Sequence, residues 1–373
     1  MIIGVPKEIK RHEYRVGATP AMVHALVDAG HQVLIETHSG TKIGYSDEIF
    51  AAAGATIVSG PDEVYGQADM VIKVKEPQPS EYSLLRKGQI LFCYLHLAPD
   101  PVQTEHLVKS GVVAIAYETV TDEHGRLPLL EPMSEIAGRI AIQVGASALQ
   151  MNNGGKGLLM GGVPGVLPAR VLIIGGGAAG TESARMAFGL GADVTILDTN
   201  LRRLRYLDAM FGHKLKTLYS SPLVIEEMVQ KSDLVVGAVL IHGKSAPKLL
   251  TREMLKKMAP GSAIVDVAID QGGCTETSHP TSHDEPFYIV DDIVHYCVTN
   301  MPGACARTST QALTNATMAY ALRIANKGVK NALMEDKHLR NGLNVCHGAV
   351  TCEPVAQDLG YDYILPEKAI TSL

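Results

Sequence analysis

The sequence predicts an α/β protein with two Rossmann-like, doubly wound domains, their sheets mostly parallel and the second domain inserted into the first. Three observations predict it. Strand-like apolar runs alternate with helix-compatible segments along the first third of the chain, and a second series with the same rhythm begins near residue 170. That series opens on Val171-Leu-Ile-Ile-Gly-Gly-Gly-Ala-Ala-Gly-Thr181, where an apolar run breaks into Gly175-x-Gly177-x-x-Gly180 and leads into a helix-like segment. Alternation at this spacing builds parallel strands joined by helical crossovers.

In the first series, residues 1–5, 31–36, 55–58, 70–74, 90–95 and 112–117 are apolar runs of strand length, separated by helix-compatible segments such as 21–29 and 101–110. A long helix is expected over 134–151, with Ser134 as its N-cap and the glycine-rich Asn152-Asn-Gly-Gly-Lys-Gly157 ending it. The second series places strands at 170–174, 193–197, 234–239, 263–268 and 295–298. From Arg307 a helix-compatible run over 309–326 leads into a short terminal segment with no fingerprint of its own. The expected division is therefore 1–132, then an inserted domain over 133–305, then a return over 306–373 that completes the first domain. No solenoid-type repeat or low-complexity tract interrupts this plan.

Composition narrows the function classes. With 46% hydrophobic and 19% charged residues among 373, the chain can bury a large core. A net charge of −6 with no long basic cluster argues against nucleic acid and anionic membrane as partners and leaves small molecules. The first apolar run is too short for a signal peptide, and no later run reaches bilayer length, so a cytoplasmic protein is expected. Six cysteines, at 93, 274, 297, 305, 346 and 352, form neither a C-x-x-C pair nor a compact His/Cys cluster. Reduced, mostly buried thiols are expected, with no structural zinc site and no disulfide framework.

The glycine motif reads as a dinucleotide-binding turn. Gly175, Gly177 and Gly180 allow a tight turn, close approach of backbone N–H groups to a pyrophosphate, and packing of helix on strand, while the helix N-terminus favours negative charge. A second apolar run beginning at Asp193 ends in Asp198, about 20 residues beyond the glycines, where a carboxylate accepts from the adenosine ribose. An acid there repels a 2′-phosphate, which selects NAD over NADP.

Ligands of open parallel sheets bind beyond the carboxyl ends of the strands. Besides Asp198, three ionisable residues close strand-like runs: Lys75, His96 and Asp270. An ammonium, an imidazole and a carboxylate supply an anion holder, a group titrating near neutrality and a second proton acceptor, the parts for redox chemistry on a small carboxylate. Arg15, in a loop before a helix, can grip a carboxylate bidentately. Each has a plainer counterpart. Lys73 and Lys75 would share one face of a strand as a solvated pair, His96 would suit a hydrogen-bonded core, and Arg15 would suit the surface.

Over nearly its whole length the chain resembles the bacterial alanine dehydrogenases. The resemblance is carried by Gly4-Val-Pro-Lys-Glu-Ile-Lys10, Arg15-Val-Gly, Val74-Lys-Glu-Pro77, Tyr94-Leu-His-Leu-Ala98, Pro132-Met-Ser-Glu-Ile-Ala-Gly138, the glycine motif, Val265-Asp-Val-Ala-Ile-Asp-Gln-Gly-Gly273, Asn300-Met-Pro-Gly-Ala304 and Arg307-Thr-Ser-Thr310. It implies reversible NAD-dependent oxidative deamination of L-alanine to pyruvate and ammonium, with 1–132 and 306–373 as substrate domain and 133–305 as NAD-binding domain. Arg15 and Lys75 are implied to bind the substrate carboxylate, His96 and Asp270 to do acid/base work, and Tyr94, Met133 and Asn300 to line the pocket. Cofactor contacts are implied for Ser134, Ala178, Asp198, Arg203, Ser220, Leu240, Ile269 and Met301. No metal is required, and a homohexamer is implied, for which the apolar segment 134–151 is a candidate interface. Some motifs are shared with the NAD-binding component of proton-translocating transhydrogenase, the alternative reading. The chain departs from the family's usual Leu-Ile-Pro-Gly at Leu240-Ile-His-Gly243 and from its Ala-Val-Pro-Arg at Ala304-Cys-Ala-Arg307.

Overall fold

The computed structural model describes residues 1–239, 246–371 and 373. They form two compact units, one of Met1–Pro132 with Cys305–Leu373, the other of Met133–Ala304. In the first unit β1 (Ile2–Val5), β2 (Gln32–Glu36), β3 (Thr56–Val58), β4 (Met70–Ile72), β5 (Ile90–Cys93) and β6 (Val113–Ala116) all run parallel. The second unit holds β7 (Arg170–Ile174), β8 (Asp193–Asp198), β9 (Leu215–Tyr219), β10 (Leu234–Gly237), β11 (Ala263–Asp266), β12 (Phe287–Val290) and β13 (Ile293–Tyr296). They lie in the order β12-β13-β11-β10-β7-β8-β9, with only β12 antiparallel. Strand order reverses between β7 and β10, so the glycine turn after β7 sits at the switch point where doubly wound sheets bind ligands.

The returning segment supplies β14 (Leu343–Cys346) and β15 (Ala349–Val350), which pair antiparallel and complete an eight-stranded sheet, β15-β14-β6-β5-β4-β1-β2-β3. Its long helix, Ala306–Lys327, packs into the same unit: Val16 N–H donates to Thr310 Oγ1 at 3.3 Å, and the His31 ring meets Asn326 Oδ1 at 2.7 Å. Cys305-Ala306 falls where that helix begins, and Ala306 lacks the fixed φ a proline would bring to a first helical position. β5 and β6 are buried at every position, as expected of central strands covered on both faces.

Three local expectations need correction. The long helix spans Glu131–Ala148, so Ser134 lies inside its first turn and does not cap it; Pro132 needs no backbone donor there. β4, β5 and β11 end at Ile72, Cys93 and Asp266, so Lys75, His96 and Asp270 lie in the turns beyond the strands and do not terminate them. The third concerns side-chain direction. Lys73 is completely buried while Lys75 is partly exposed, because the regular register with β5 ends at Ile72, beyond which Lys73 N–H still donates to the Phe92 carbonyl but Tyr94 N–H takes the Val74 carbonyl. No helix among the described residues is long and apolar enough to cross a membrane.

Candidate active site

In the second unit, Gly175 has φ +103°, and a Cβ placed there would stand 2.5 Å from the Ala238 carbonyl oxygen. A Cβ on Gly180 would stand 1.8 Å from the Gly175 carbonyl oxygen, so the turn and the helix it opens, Ala178–Gly189, meet at backbone contact. Gly177 is the N-cap and has no side-chain capping bond, which leaves the helix terminus to a ligand. The Asp198 carboxylate accepts from Gly176 N–H and Asn200 N–H, each at 2.7 Å, and so joins the end of β8 to the glycine turn. Arg203 closes the other side: its Nε donates to the Gly176 carbonyl, and its Nη2 donates to Thr181 Oγ1 at 2.6 Å. Ser220 N–H donates to the Asp198 carbonyl at 3.0 Å, which brings the end of β9 to the same place.

The helix carrying Met133 and Ser134 is clamped against this turn. A Cβ on Gly138 would lie 2.1 Å from the Ala179 carbonyl oxygen, and Ser183 Oγ donates to the Gly138 carbonyl at 2.9 Å. Asp270 lies on a short helical turn, Val267–Gln271, where its Oδ1 accepts from Asn300 N–H at 3.2 Å. Asn300 has φ +57°, a left-handed conformation that asparagine tolerates better than most residues. Ile269 and Met301 are buried beside these two residues in sequence. Leu240 and the Leu240-Ile-His-Gly243 departure lie outside the described residues.

The first unit gathers Arg15, Lys75, Tyr94 and His96 from loops beyond its strands. Arg15 is no surface arginine. It is buried, with Nε 2.7 Å from Glu13 Oε1 and Nη2 2.6 Å from Glu13 Oε2. Burial pushes the Glu13 carboxyl up, but the Arg15 charge and hydrogen bonds prevail and hold it at about 2. Gly17 lets this loop cross the end of β4, since a Cβ there would lie 2.5 Å from the Ile72 carbonyl oxygen. Beneath the crossing, Lys73 Nζ lies 2.9 Å from Glu81 Oε1 and 3.3 Å from Glu8 Oε2, while Glu8 Oε1 accepts from Val74 N–H at 2.6 Å and Lys75 N–H at 3.3 Å. Glu8 thus fixes the backbone on which Lys75 stands.

Two carboxylates face one buried ammonium, and Glu81 has the nearer place. Burial pushes the Glu8 carboxyl up to about 7, with Lys73 pulling the other way. A folded-state value above the ordinary 4.5 means that the folded protein binds the Glu8 proton more tightly than the unfolded chain. The stability this contributes is complete below about 4.5 and is lost as pH rises through about 7. Glu8→Gln, which cannot ionise, removes that component. In denaturant titrations between pH 5 and 8 the wild type loses more stability than the variant, and parallel profiles would refute the assignment.

Tyr94 is buried; its hydroxyl donates to the Leu129 carbonyl at 2.5 Å, and its ring lies parallel to the His96 imidazole at 5.9 Å. Burial pushes the Tyr94 hydroxyl well up, so it stays a neutral donor. His96 is not a core histidine, because its side chain is 46% exposed. It stands at φ +49°, and Glu118 Oε1 accepts its N–H at 2.6 Å. Glu8, Glu13 and Glu118 carried no assignment from sequence, and Lys73 entered only as a solvated neighbour of Lys75. Glu118 follows the sixth apolar run directly, and the strand-end rule that selected His96 would have selected it too.

The sequence profile described as "Alanine dehydrogenase/PNT, N-terminal domain" matches residues 4–137, and that described as "Alanine dehydrogenase/PNT, C-terminal domain" matches residues 141–353. A protein of Bacillus subtilis (strain 168) named alanine dehydrogenase is 57% identical over 99% of this chain and 98% of its own. One of that name from Methanococcus maripaludis is 56% identical over 99% of this chain and 100% of its own. Among solved structures, an L-alanine dehydrogenase superposes with a TM-score of 0.93 at 51% identity, covering 96% of this chain and 99% of its own. A transhydrogenase from Sinorhizobium meliloti superposes at 0.79 with 23% identity, over 94% of this chain and 98% of its own, a likeness of fold. On these matches the chain belongs to the alanine dehydrogenase/PNT family.

Proposed function

We propose that the protein catalyses the reversible NAD-dependent oxidative deamination of L-alanine to pyruvate and ammonium. The observation that carries this reading is the near-complete alignment, at 57% identity, with a protein named for that activity. The transhydrogenase reading rests on a likeness at 23% identity, which is a likeness of fold alone.

The glycine turn suits a nicotinamide dinucleotide, because its backbone fills the space a Cβ would need and its helix terminus is uncapped by a side chain. Gly175, Gly177, Ala178 and Gly180 would hold the pyrophosphate, Asp198 the ribose, and Arg203, Ser220, Ser134, Ile269, Met301 and Leu240 the remainder. When bound, the nicotinamide supplies the hydride acceptor for the alanine Cα–H. We assign 133–305 as the NAD-binding domain and 1–132 with 306–373 as the substrate domain.

Arg15 and Lys75 hold the substrate carboxylate, which fixes the direction of the Cα–H bond and removes much of the entropic cost of reaction. Arg15 is suited to this because Glu13 locks its guanidinium plane. Loss of hydride leaves a substrate iminium, to which water adds before ammonia departs. His96, the exposed imidazole, accepts a proton from that water and returns one to the departing amine. Asp270, held by Asn300 N–H, orients the amine and offsets its positive charge. Tyr94 and Met133 complete the residues assigned to the substrate. The same reading carries a cytoplasmic homohexamer, which light scattering tests directly.

Initial rates of NADH formation across a panel of L-amino acids test the proposal. L-alanine should give the highest kcat/KM, with pyruvate and ammonium required together for the reverse rate. Absence of alanine-dependent NADH formation by pure protein would remove the reading.

A further inference from the structure

The Glu118 carboxylate stands in the turn after β6 and reaches across to the end of the neighbouring β5. There it accepts from two consecutive backbone donors, Leu95 N–H at 3.1 and 3.2 Å to its two oxygens and His96 N–H at 2.6 Å to Oε1. Oε1 also lies 3.9 Å from His96 Nδ1. The carboxylate is 14% exposed and the imidazole 46% exposed, so an interior anion anchors a group that reaches solvent. His96 adopts a left-handed backbone, φ +49°, which costs energy for any residue but glycine and persists only where neighbours enforce it. Two adjacent N–H groups converging on one anion are such an enforcement. The Tyr94 ring lies stacked with the imidazole, 9° from its plane with centroids 5.9 Å apart.

From this geometry we infer that Glu118 is the positioning residue of His96: it locks the strained turn through two backbone donors and so fixes where the imidazole stands. The inference rests on the acid/base role assigned to His96. Glu118 touches no reacting atom and acts only through that ring. Strain at a functional side chain is thereby stabilised from the adjacent strand, and Cys93, Tyr94 and Tyr117, which flank the two strand ends, are kept neutral by burial.

A double-mutant cycle on the full chain tests it. Glu118→Ala should lower kcat for L-alanine by about 10-fold or more, the penalty for misplacing a catalytic group, with the dissociation constant of NADH unchanged. Glu118→Gln keeps an Oε1 that can accept from both backbone donors, and should recover most of that loss. In a His96→Ala background Glu118→Ala should cost nothing further, because the ring it serves is gone. An equal loss in both backgrounds would mean a general structural role and overturn the inference, as would wild-type turnover in Glu118→Ala. If His96→Ala alone keeps full turnover, the role of His96 falls and this inference with it, a result distinguishable because it appears in the single variant. Should Glu118→Ala not fold, Glu118→Leu, which keeps bulk but no acceptor, gives the same decision in the two backgrounds: a loss of kcat only where His96 is present supports the inference, and equal losses in both, or no loss in either, overturn it.

Discussion

Replacing His96 by alanine lowers the turnover of L-alanine deamination by about 10² or more and leaves NAD affinity nearly intact. Proton transfer by a positioned side chain contributes about 10²–10⁴ to rate, and loss of the imidazole removes that contribution from the water-addition and ammonia-departure steps. Affinity for the dinucleotide survives because the glycine turn, Asp198 and Arg203 belong to the other unit, where Asp198 and Arg203 are hydrogen-bonded to the turn itself. The pair of measurements is kcat from steady-state rates and Kd from NADH fluorescence. A parallel collapse of both would show a folding defect, and normal turnover would remove the imidazole from the mechanism.

Asp198→Ala weakens NAD binding by about 10- to 100-fold and narrows the preference over NADP. A hydrogen bond to a charged group is worth about 1.5–3 kcal/mol, which sets that range. The structure adds a second consequence, since the carboxylate also holds Gly176 N–H and Asn200 N–H. Removing it loosens the turn as well as the ribose contact. Asp198→Asn retains an acceptor and separates the two effects: if the turn dominates, asparagine restores NAD affinity, and if charge dominates selectivity, asparagine still admits NADP. The cationic Arg202 and Arg203 follow directly on the next helix, so a 2′-phosphate would meet favourable charge once the carboxylate is gone. An unchanged NAD/NADP ratio in both variants would show that the ribose contact is misassigned.

The sequence was most legible where periodicity and glycine geometry coincide. β7 and the helix Pro101–Ser110 fall where apolar spacing places them, and the glycine motif is a backbone requirement that leaves few alternatives. The ends of elements were less legible. Val74 N–H turns from the sheet ladder to the Glu8 carboxylate, a partner 66 residues away, and no local pattern encodes that competition. The same long-range pairing explains why Lys73 and Lys75, alike in sequence, differ in burial: the first meets Glu81 and Glu8 inside, and the second is carried past the end of the strand. Buried carboxylates such as Glu8 and Glu13 look like surface residues until their partners are known.

The return of the last segment to the first sheet orders events during synthesis. Val113–Ala116 leaves the ribosome long before Leu343–Cys346, its antiparallel neighbour, has been translated. At about 5–20 residues per second the wait is roughly 10–45 s. Met133–Ala304 is complete before that interval ends and can consolidate first, whereas the older part of the nascent chain carries an apolar, unpaired sheet edge. Chaperone shielding during this window, and aggregation when translation stops before residue 343, follow from the order in which the strands are made.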